Sequence, residues 1–232
     1  MRKASILKKI LILVAILALP GFLYYLLTAK GKNRYKPLAF YGPKVVAKTG
    51  HKFHGEYIPD TIYHKLSDFK LTDQNGKEVS FKNFDKKIFI ANFFYTNCPT
   101  VCNTVNKNLS ELVYAYRKNP MVHFISITVD PEHDTPDALK AYGKKFESVN
   151  KWQFLTGDTS TIYGLARKGF LVNALKRGDN DFIYDDRLIL IDAEKRIRGY
   201  YSGTSTTDVA RLNDEIKVQI AEELRKVDKA LY

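Results

Sequence analysis

The chain is poor in cysteine, histidine and tryptophan, with two, five and one of them among 232 residues. Two cysteines are too few for a scaffold held together by disulfides. Cys98 and Cys102 are four positions apart, so a bridge between them would close a very small loop and stabilise the fold little. We therefore expect the pair to form a local site, either redox-active or metal-binding.

The start of the chain lacks acidic residues, and the first one along the sequence is Glu56. Residues 1–48 hold ten basic side chains, which leaves 27 basic against 25 acidic side chains in residues 49–232. The formal net charge of +12 therefore belongs to the N-terminal segment. Binding to phosphates needs Lys and Arg gathered on a folded surface. This distribution argues against a nucleic-acid partner, and no motif indicates a small-molecule substrate.

Residues 10–28 contain no charged side chain. A bilayer span needs about 20 apolar residues, whereas the apolar part of a cleaved signal peptide, the competing interpretation, has about 7–15. The length predicts one transmembrane anchor, with residues 1–9 as a basic cytoplasmic tail and residues 29–60 as a tether. The domain would then lie on the outer, periplasmic face of the cell membrane. The lack of a Ser/Arg-rich presequence favours a bacterial protein over a mitochondrial one.

Residues 61–232 alternate strand-like and helical patterns, as expected for one α/β domain. Continuous apolar runs predict buried strands, and right-handed crossovers would place the first two side by side and parallel. Segments with apolar residues at helical spacing separate these runs. Thr135-Pro136-Asp137 is typical of a helix start. The predicted strands are residues 87–95, 122–129, 152–155, 187–192 and 196–201, and a helix closes the chain at about residues 209–227. This order predicts a thioredoxin-like fold, a central mixed sheet flanked by helices.

The two cysteines stand where the first buried strand passes into a helix. Free N–H groups and the positive dipole end of a helix favour a thiolate there. Residues i and i+4 face the same side of a helix, so both sulfurs can converge on one object. Such a pair suits a soft ion such as Cu(I) or closes reversibly into a disulfide, while two inert buried cysteines are the structural alternative.

Three segments resemble the SCO/SenC family of membrane-anchored, thioredoxin-fold copper proteins: FFYTNCPTVCNTVNKNL, ISITVDPEHDTPDALKAYGKKF and IRGYYSGT. The resemblance extends from about residue 68 to the end of the chain. It implies copper delivery to, or thiol reduction of, the dinuclear copper site of cytochrome c oxidase during assembly. The implied partners are the copper-site subunit of that oxidase and thiol–disulfide reductants. By position, Cys98 and Cys102 match the family's two copper-ligating cysteines.

The family's third copper ligand, a histidine, has no counterpart in this sequence. Tyr184 occupies that position, Asp185 and Asp186 follow it, and no histidine occurs after His133. Phenol and carboxylate oxygens are hard donors that suit Cu(I) poorly. His133, on a predicted loop beyond the same sheet edge as the cysteines, is a weak substitute ligand or an ordinary loop residue.

Other polar residues allow two interpretations each. His51 and His54 are either an accessory metal pair or tether residues, and His123 begins a core-type strand. Asp130 and Asp134 either steer proton transfer and partner contact near the thiols or cap the turn before Thr135.

Three functions follow from these observations. The first is a copper metallochaperone for cytochrome c oxidase that binds Cu(I) through Cys98 and Cys102. The second is a thiol–disulfide oxidoreductase of the cell envelope without physiological copper, which is the only enzymatic activity that the cysteine pair predicts. The third is a non-catalytic redox or copper sensor.

Overall fold

The computed structural model describes residues 2–29, 37–98, 101–146, 151–178 and 181–230. The chain divides into two compact units, Met1–Lys36 and Pro37–Tyr232. Residues 30–36 of the predicted tether lie outside the described residues, as do Pro99 and Thr100 between the cysteines.

The first unit contains one helix, α1 (Arg2–Ala29). Across the described ranges, none of the helices combines the length and the apolar character that a membrane crossing requires. The anchor at residues 10–28 stays a prediction.

The second unit contains eleven strands and four helices within its described residues. The strands are β1 (Lys44–Phe53), β2 (Glu56–Tyr63), β3 (Leu71–Asp73), β4 (Glu78–Val79), β5 (Ile88–Phe94), β6 (Val122–Thr128), β7 (Trp152–Thr156), β8 (Ala174–Gly178), β9 (Asp181–Tyr184), β10 (Arg187–Ile191) and β11 (Ile197–Ser202). The helices are α2 (Val101–Ala115), α3 (Pro136–Gly143), α4 (Thr159–Gly164) and α5 (Thr206–Ala230). Leu165–Gly169 continues α4 as a π-helical turn.

Seven of the strands form one mixed sheet in the order β11-β10-β5-β6-β7-β3-β4. All seven residues of β5 are buried, because the strand lies in the middle of the sheet with both faces covered. β5 pairs in parallel with β6, and β6 pairs in parallel with β7, which confirms the predicted adjacency of the first two apolar runs. The carboxyl ends of β5 and β6 therefore meet at one edge, where Cys98 follows β5 and Asp130 follows β6.

Local sequence signals explain two further elements. The Thr135 side chain accepts a hydrogen bond from the Ala138 N–H, and Pro136 occupies the first turn of α3, as the sequence predicts. β10 and β11 pair as an antiparallel hairpin, and β10 also pairs antiparallel with β5. The mixed sheet and its flanking helices give the thioredoxin-like fold.

Residues 44–63 differ from the predicted irregular tether. They form an antiparallel hairpin, β1–β2, in which most residues of both faces are exposed. The pairing shifts between Val46 and Gly50. Such an irregularity breaks the period-two alternation on which strand prediction depends, so the sequence pattern concealed the hairpin.

A buried arginine holds the segment that opens the second unit. Arg198, in β11, is 1% exposed and donates from Nη2 to Leu38 O at 2.7 Å and from Nε to Ala39 O at 3.1 Å. The guanidinium also pairs with Glu222 at 2.8 Å and with Asp192 at 3.3 Å. A buried charge needs such partners. This segment therefore belongs to the compact unit and not to the tether predicted from the sequence.

His123 makes the stability of the fold depend on pH. Burial lowers the pKa of His123 from 6.5 to about 4, and the positive charges of Lys151 and Lys87 act in the same direction. The unfolded chain takes up this proton near pH 6.5, whereas the folded chain takes it up only near pH 4. We therefore expect the free energy of unfolding to fall by about 1 kcal/mol for each pH unit between pH 6.5 and pH 4, and no further below that. Urea unfolding at pH 7 and pH 5 measures this loss of stability, and His123→Gln should lose less than the wild type. An equal loss in the variant and the wild type would contradict the assignment to His123.

Candidate redox and metal site

The two cysteines are joined in a disulfide at the strand–helix junction. Cys98 follows β5, Cys102 lies in the first turn of α2, and their Cα atoms are 5.9 Å apart. Cys98 is 9% exposed and Cys102 is 2% exposed. The bridge is thus nearly enclosed, and Cys98 is the more exposed of its two residues.

The start of α2 supplies a backbone donor to one sulfur. The Cys102 N–H donates to Cys98 Sγ at 3.3 Å. The first N–H groups of a helix have no partner within the helix, and together with the helix dipole they favour negative charge. This arrangement would stabilise a thiolate on Cys98 after reduction.

Tyr184, at the end of β9, directs its hydroxyl at both sulfurs. Tyr184 Oη lies 2.9 Å from Cys98 Sγ and 2.9 Å from Cys102 Sγ. Burial raises the pKa of Tyr184 to about 12, and the neighbouring phenols of Tyr95 and Tyr142 act in the same direction. The phenol is therefore neutral at physiological pH and keeps its proton available for donation.

Aromatic side chains fix the position of the Tyr184 ring. Tyr95 meets it edge-on with ring centroids 5.8 Å apart, and Phe182 contacts Tyr95 at 4.9 Å. The two acids after Tyr184 have other partners: Asp185 accepts from the Asn173 N–H, and Asp186 accepts from two hydroxyl groups, those of Ser202 and Thr204. Their hydrogen bonds hold the chain that enters β10.

Asp134 holds the loop that precedes the disulfide. Its buried carboxylate accepts hydrogen bonds from the Thr96 N–H, the Thr96 hydroxyl and the Thr128 hydroxyl. Burial raises the pKa of Asp134, and the bonds from the two threonines oppose that rise. Thr96 stands two residues before Cys98, so Asp134 positions the cysteine loop against the end of β6.

His133 contacts Asp130 and not the two cysteine sulfurs. Its Nδ1 lies 2.9 Å from both carboxylate oxygens of Asp130, and its side chain is 57% exposed. The hydrogen bond to Asp130 raises the pKa of His133. Throughout the described part of the chain, no three His, Cys, Asp or Glu side chains are grouped so that they could hold a metal ion. The structure therefore does not bring His133 to the two sulfurs as a third ligand.

The remaining histidines with described contacts are engaged elsewhere. His51 pairs with Asp60 across the β1–β2 hairpin at 3.2 Å, and the His64 ring donates to Gly169 O at 2.7 Å. His54 occupies the hairpin turn with a positive φ of 50°. A metal ion bound at this point would therefore meet two soft cysteine sulfurs and one hard phenol oxygen. This set of ligand atoms fits Cu(I) only in part.

Sequence reasoning missed the β8–β9 hairpin that carries Tyr184. Lys176 pairs with Phe182 and Ala174 with Tyr184, and the pairing shifts before Gly178. The available signal was a pair of short apolar segments around the turn-forming residues Gly178, Asp179 and Asn180. The Lys176 ammonium also binds Glu132 at 2.6 Å, which ties the hairpin to the loop after β6.

The fold and the site define a thioredoxin-like domain with a cysteine pair at the carboxyl edge of its sheet. The SCO1/SenC family model matches residues 60–220 of this chain. The chain belongs to the SCO1/SenC family.

Three relatives illustrate the match. An SCO2-like protein of Rickettsia felis is 30% identical over 216 residues, which cover 90% of this chain and 97% of that protein. BsSco, described as having a disulfide switch and as a member of the Sco family of cytochrome c oxidase assembly proteins, is 27% identical with a TM-score of 0.61, over 67% of this chain and 93% of its own. ScoI of Bradyrhizobium japonicum, solved with copper bound, is 31% identical with a TM-score of 0.56, over 65% of this chain and 98% of its own.

Proposed function

We propose that this protein exchanges disulfides through Cys98 and Cys102 during assembly of the copper site of cytochrome c oxidase. The observation that carries the proposal is the Tyr184 hydroxyl, which contacts both sulfurs at 2.9 Å and is a hard oxygen donor that suits Cu(I) poorly. Disulfide exchange needs an accessible sulfur and a resolving thiol, and it needs no third ligand. The link to the oxidase is supported by the description of BsSco.

The two cysteines have different roles in this proposal. Cys98 is the more exposed residue of the pair, and its sulfur accepts the N–H at the start of α2, so it forms the mixed disulfide with the partner. Cys102 is the buried resolving thiol. When the reduced pair gives two electrons to a cysteine pair of the partner, the partner disulfide becomes two thiols and Cys98–Cys102 becomes the disulfide.

Trapping experiments with the full-length protein test this division of roles. The wild-type pair should equilibrate between dithiol and disulfide in glutathione buffers. Cys102→Ser should accumulate a mixed disulfide through Cys98, whereas the matched variant Cys98→Ser should accumulate far less, because its remaining cysteine, Cys102, is only 2% exposed. A pair that does not respond to glutathione, or equal trapping by both variants, would contradict the proposal.

Delivery of Cu(I) as cargo is the second candidate function. It is favoured by the convergence of two sulfurs at one point and by the copper-bound ScoI, at 31% identity. In the reduced protein the two thiolates would hold the ion, and the Tyr184 phenol would contribute little because it is a hard, neutral donor. Stoichiometric Cu(I) binding by the reduced wild-type protein, lost in Cys98→Ser, would support this candidate.

Membrane attachment through residues 10–28 completes the proposal. The support is the uncharged apolar sequence of that segment and the basic residues on both sides of it. The domain would then act at the outer face of a bacterial cell membrane. Alkaline extraction of membranes from cells that express the full chain should leave it in the pellet, and release into the supernatant would contradict the anchor.

A further inference from the structure

The hydroxyl of Tyr184 is equally close to the two sulfurs of the disulfide, 2.9 Å from each. A sulfur in a disulfide carries no proton, so the phenol O–H is the donor and the sulfurs are the acceptors. Sulfur is a weak hydrogen-bond acceptor in a disulfide but a strong one as a thiolate, because charge strengthens the bond. The contact therefore becomes stronger when the S–S bond breaks.

We propose that the Tyr184 hydroxyl is a catalytic hydrogen-bond donor that stabilises the sulfur leaving the Cys98–Cys102 disulfide. The inference rests on the exchange function proposed above. In the half of the cycle that regenerates the reduced pair, a thiolate of a thiol reductant attacks Cys98 Sγ, a new S–S bond forms there, and the Cys98–Cys102 bond breaks. Its electron pair remains on Cys102 Sγ, which becomes a thiolate and accepts the hydrogen bond from Tyr184 Oη. A second thiolate of the reductant then attacks the reductant's own sulfur in the mixed disulfide, so that the reductant ends as a disulfide and Cys98 leaves as a thiolate.

Cys102 has particular need of such a donor. It is 2% exposed, and its own N–H is already directed at Cys98 Sγ. A thiolate formed in a buried, largely apolar environment is destabilised unless a donor replaces the water that it lacks. The Tyr184 hydroxyl occupies that position before the reaction starts, so no reorganisation is needed as the charge develops.

The phenol stabilises the thiolate without giving up its proton. An ordinary phenol has a pKa of about 10, above that of an ordinary thiol at about 8.5. Proton transfer from Tyr184 to the thiolate is therefore unfavourable. A histidine at this position would be a nitrogen ligand for a metal, whereas the tyrosine favours exchange at sulfur.

The substitution Tyr184→Phe in the full-length protein separates the hydroxyl from the ring. We expect reduction of the Cys98–Cys102 disulfide by dithiothreitol to be about tenfold slower, the effect of losing one hydrogen bond to a developing charge. In the reduced variant, the thiolate absorbance should also appear at higher pH than in the wild type. Tyr200→Phe is the matched control, because it removes a half-buried hydroxyl that donates to Phe170 O at 2.8 Å and not to a sulfur, and its reduction rate should stay within about twofold of the wild type.

Two results would overturn the inference. One is a Tyr184→Phe protein that matches the wild type in reduction rate and in thiolate titration. The other is an equal loss in Tyr184→Phe and Tyr200→Phe, which would show that the effect does not depend on a hydroxyl in contact with the sulfurs. Neither depends on a protein partner. Failure of the exchange function would instead appear as a wild-type pair that does not equilibrate with glutathione, while the two measurements on Tyr184 could still be made.

Discussion

Tyr184→His is expected to bind Cu(I) at least about 100-fold more tightly than the wild-type protein. The two sulfurs already converge on the Tyr184 hydroxyl, 2.9 Å from each. An imidazole nitrogen is a better ligand for Cu(I) than a neutral phenol oxygen. Loss of an outer-shell partner alone costs about 10–100-fold in metal affinity, so an added direct ligand should give at least the upper end of that range.

Competition with a Cu(I) chelator, using reduced full-length protein, measures this gain. The variant should take up one Cu(I) per chain, and the uptake should disappear when Cys98 is also replaced by serine. Tyr184→Phe is the matched control, since it changes the ring substituent without adding a nitrogen ligand, and it should bind Cu(I) no more tightly than the wild type. Wild-type protein that already binds one Cu(I) as tightly as Tyr184→His would contradict the expectation and favour copper delivery.

Arg198→Ala is expected to cost about 3–5 kcal/mol of folding stability. Removal of one member of a buried charge network leaves its partners buried without compensation. Here Glu222 would lose its closest guanidinium, and the carbonyls of Leu38 and Ala39 would lose their donors. Asp192 would keep its ion pair with Arg196 at 2.8 Å. The loss of stability would therefore come mainly from Glu222 and the two carbonyl groups. Stabilities of natural domains are only about 5–15 kcal/mol, so this is a large fraction.

Urea unfolding of the full chain measures the loss as a lower transition midpoint. Limited proteolysis should also cut earlier near Leu38, because that segment is tied to the domain through Arg198. Arg177→Ala is the control: its guanidinium is 4.0 Å from Asp181 and its side chain is 67% exposed, so the cost should stay below about 1 kcal/mol. Similar midpoints for the two variants would show that the Arg198 network does not hold the segment.

The sequence predicted those parts of the fold whose signals are local. The continuous apolar run of β5 indicated a strand covered on both faces, and the structure buries all seven of its residues. Thr135 and Pro136 indicated the start of α3, since an N-cap hydroxyl and a proline at N1 act within one turn. The two hairpins β1–β2 and β8–β9 were not predicted, because irregular pairing in both breaks the alternation of side chains.

The candidate site divides in the same way. The sequence alone places Cys98 and Cys102 four residues apart at a predicted strand–helix junction and shows that no histidine follows His133. It does not tell where Tyr184 points, which side chain holds the cysteine loop, or whether His133 approaches the sulfurs. These three points depend on contacts between residues that are distant in the sequence. Tyr184 is 82 residues from Cys102 along the chain, and only the packing of β9 beside the end of β5 brings its hydroxyl to both sulfurs.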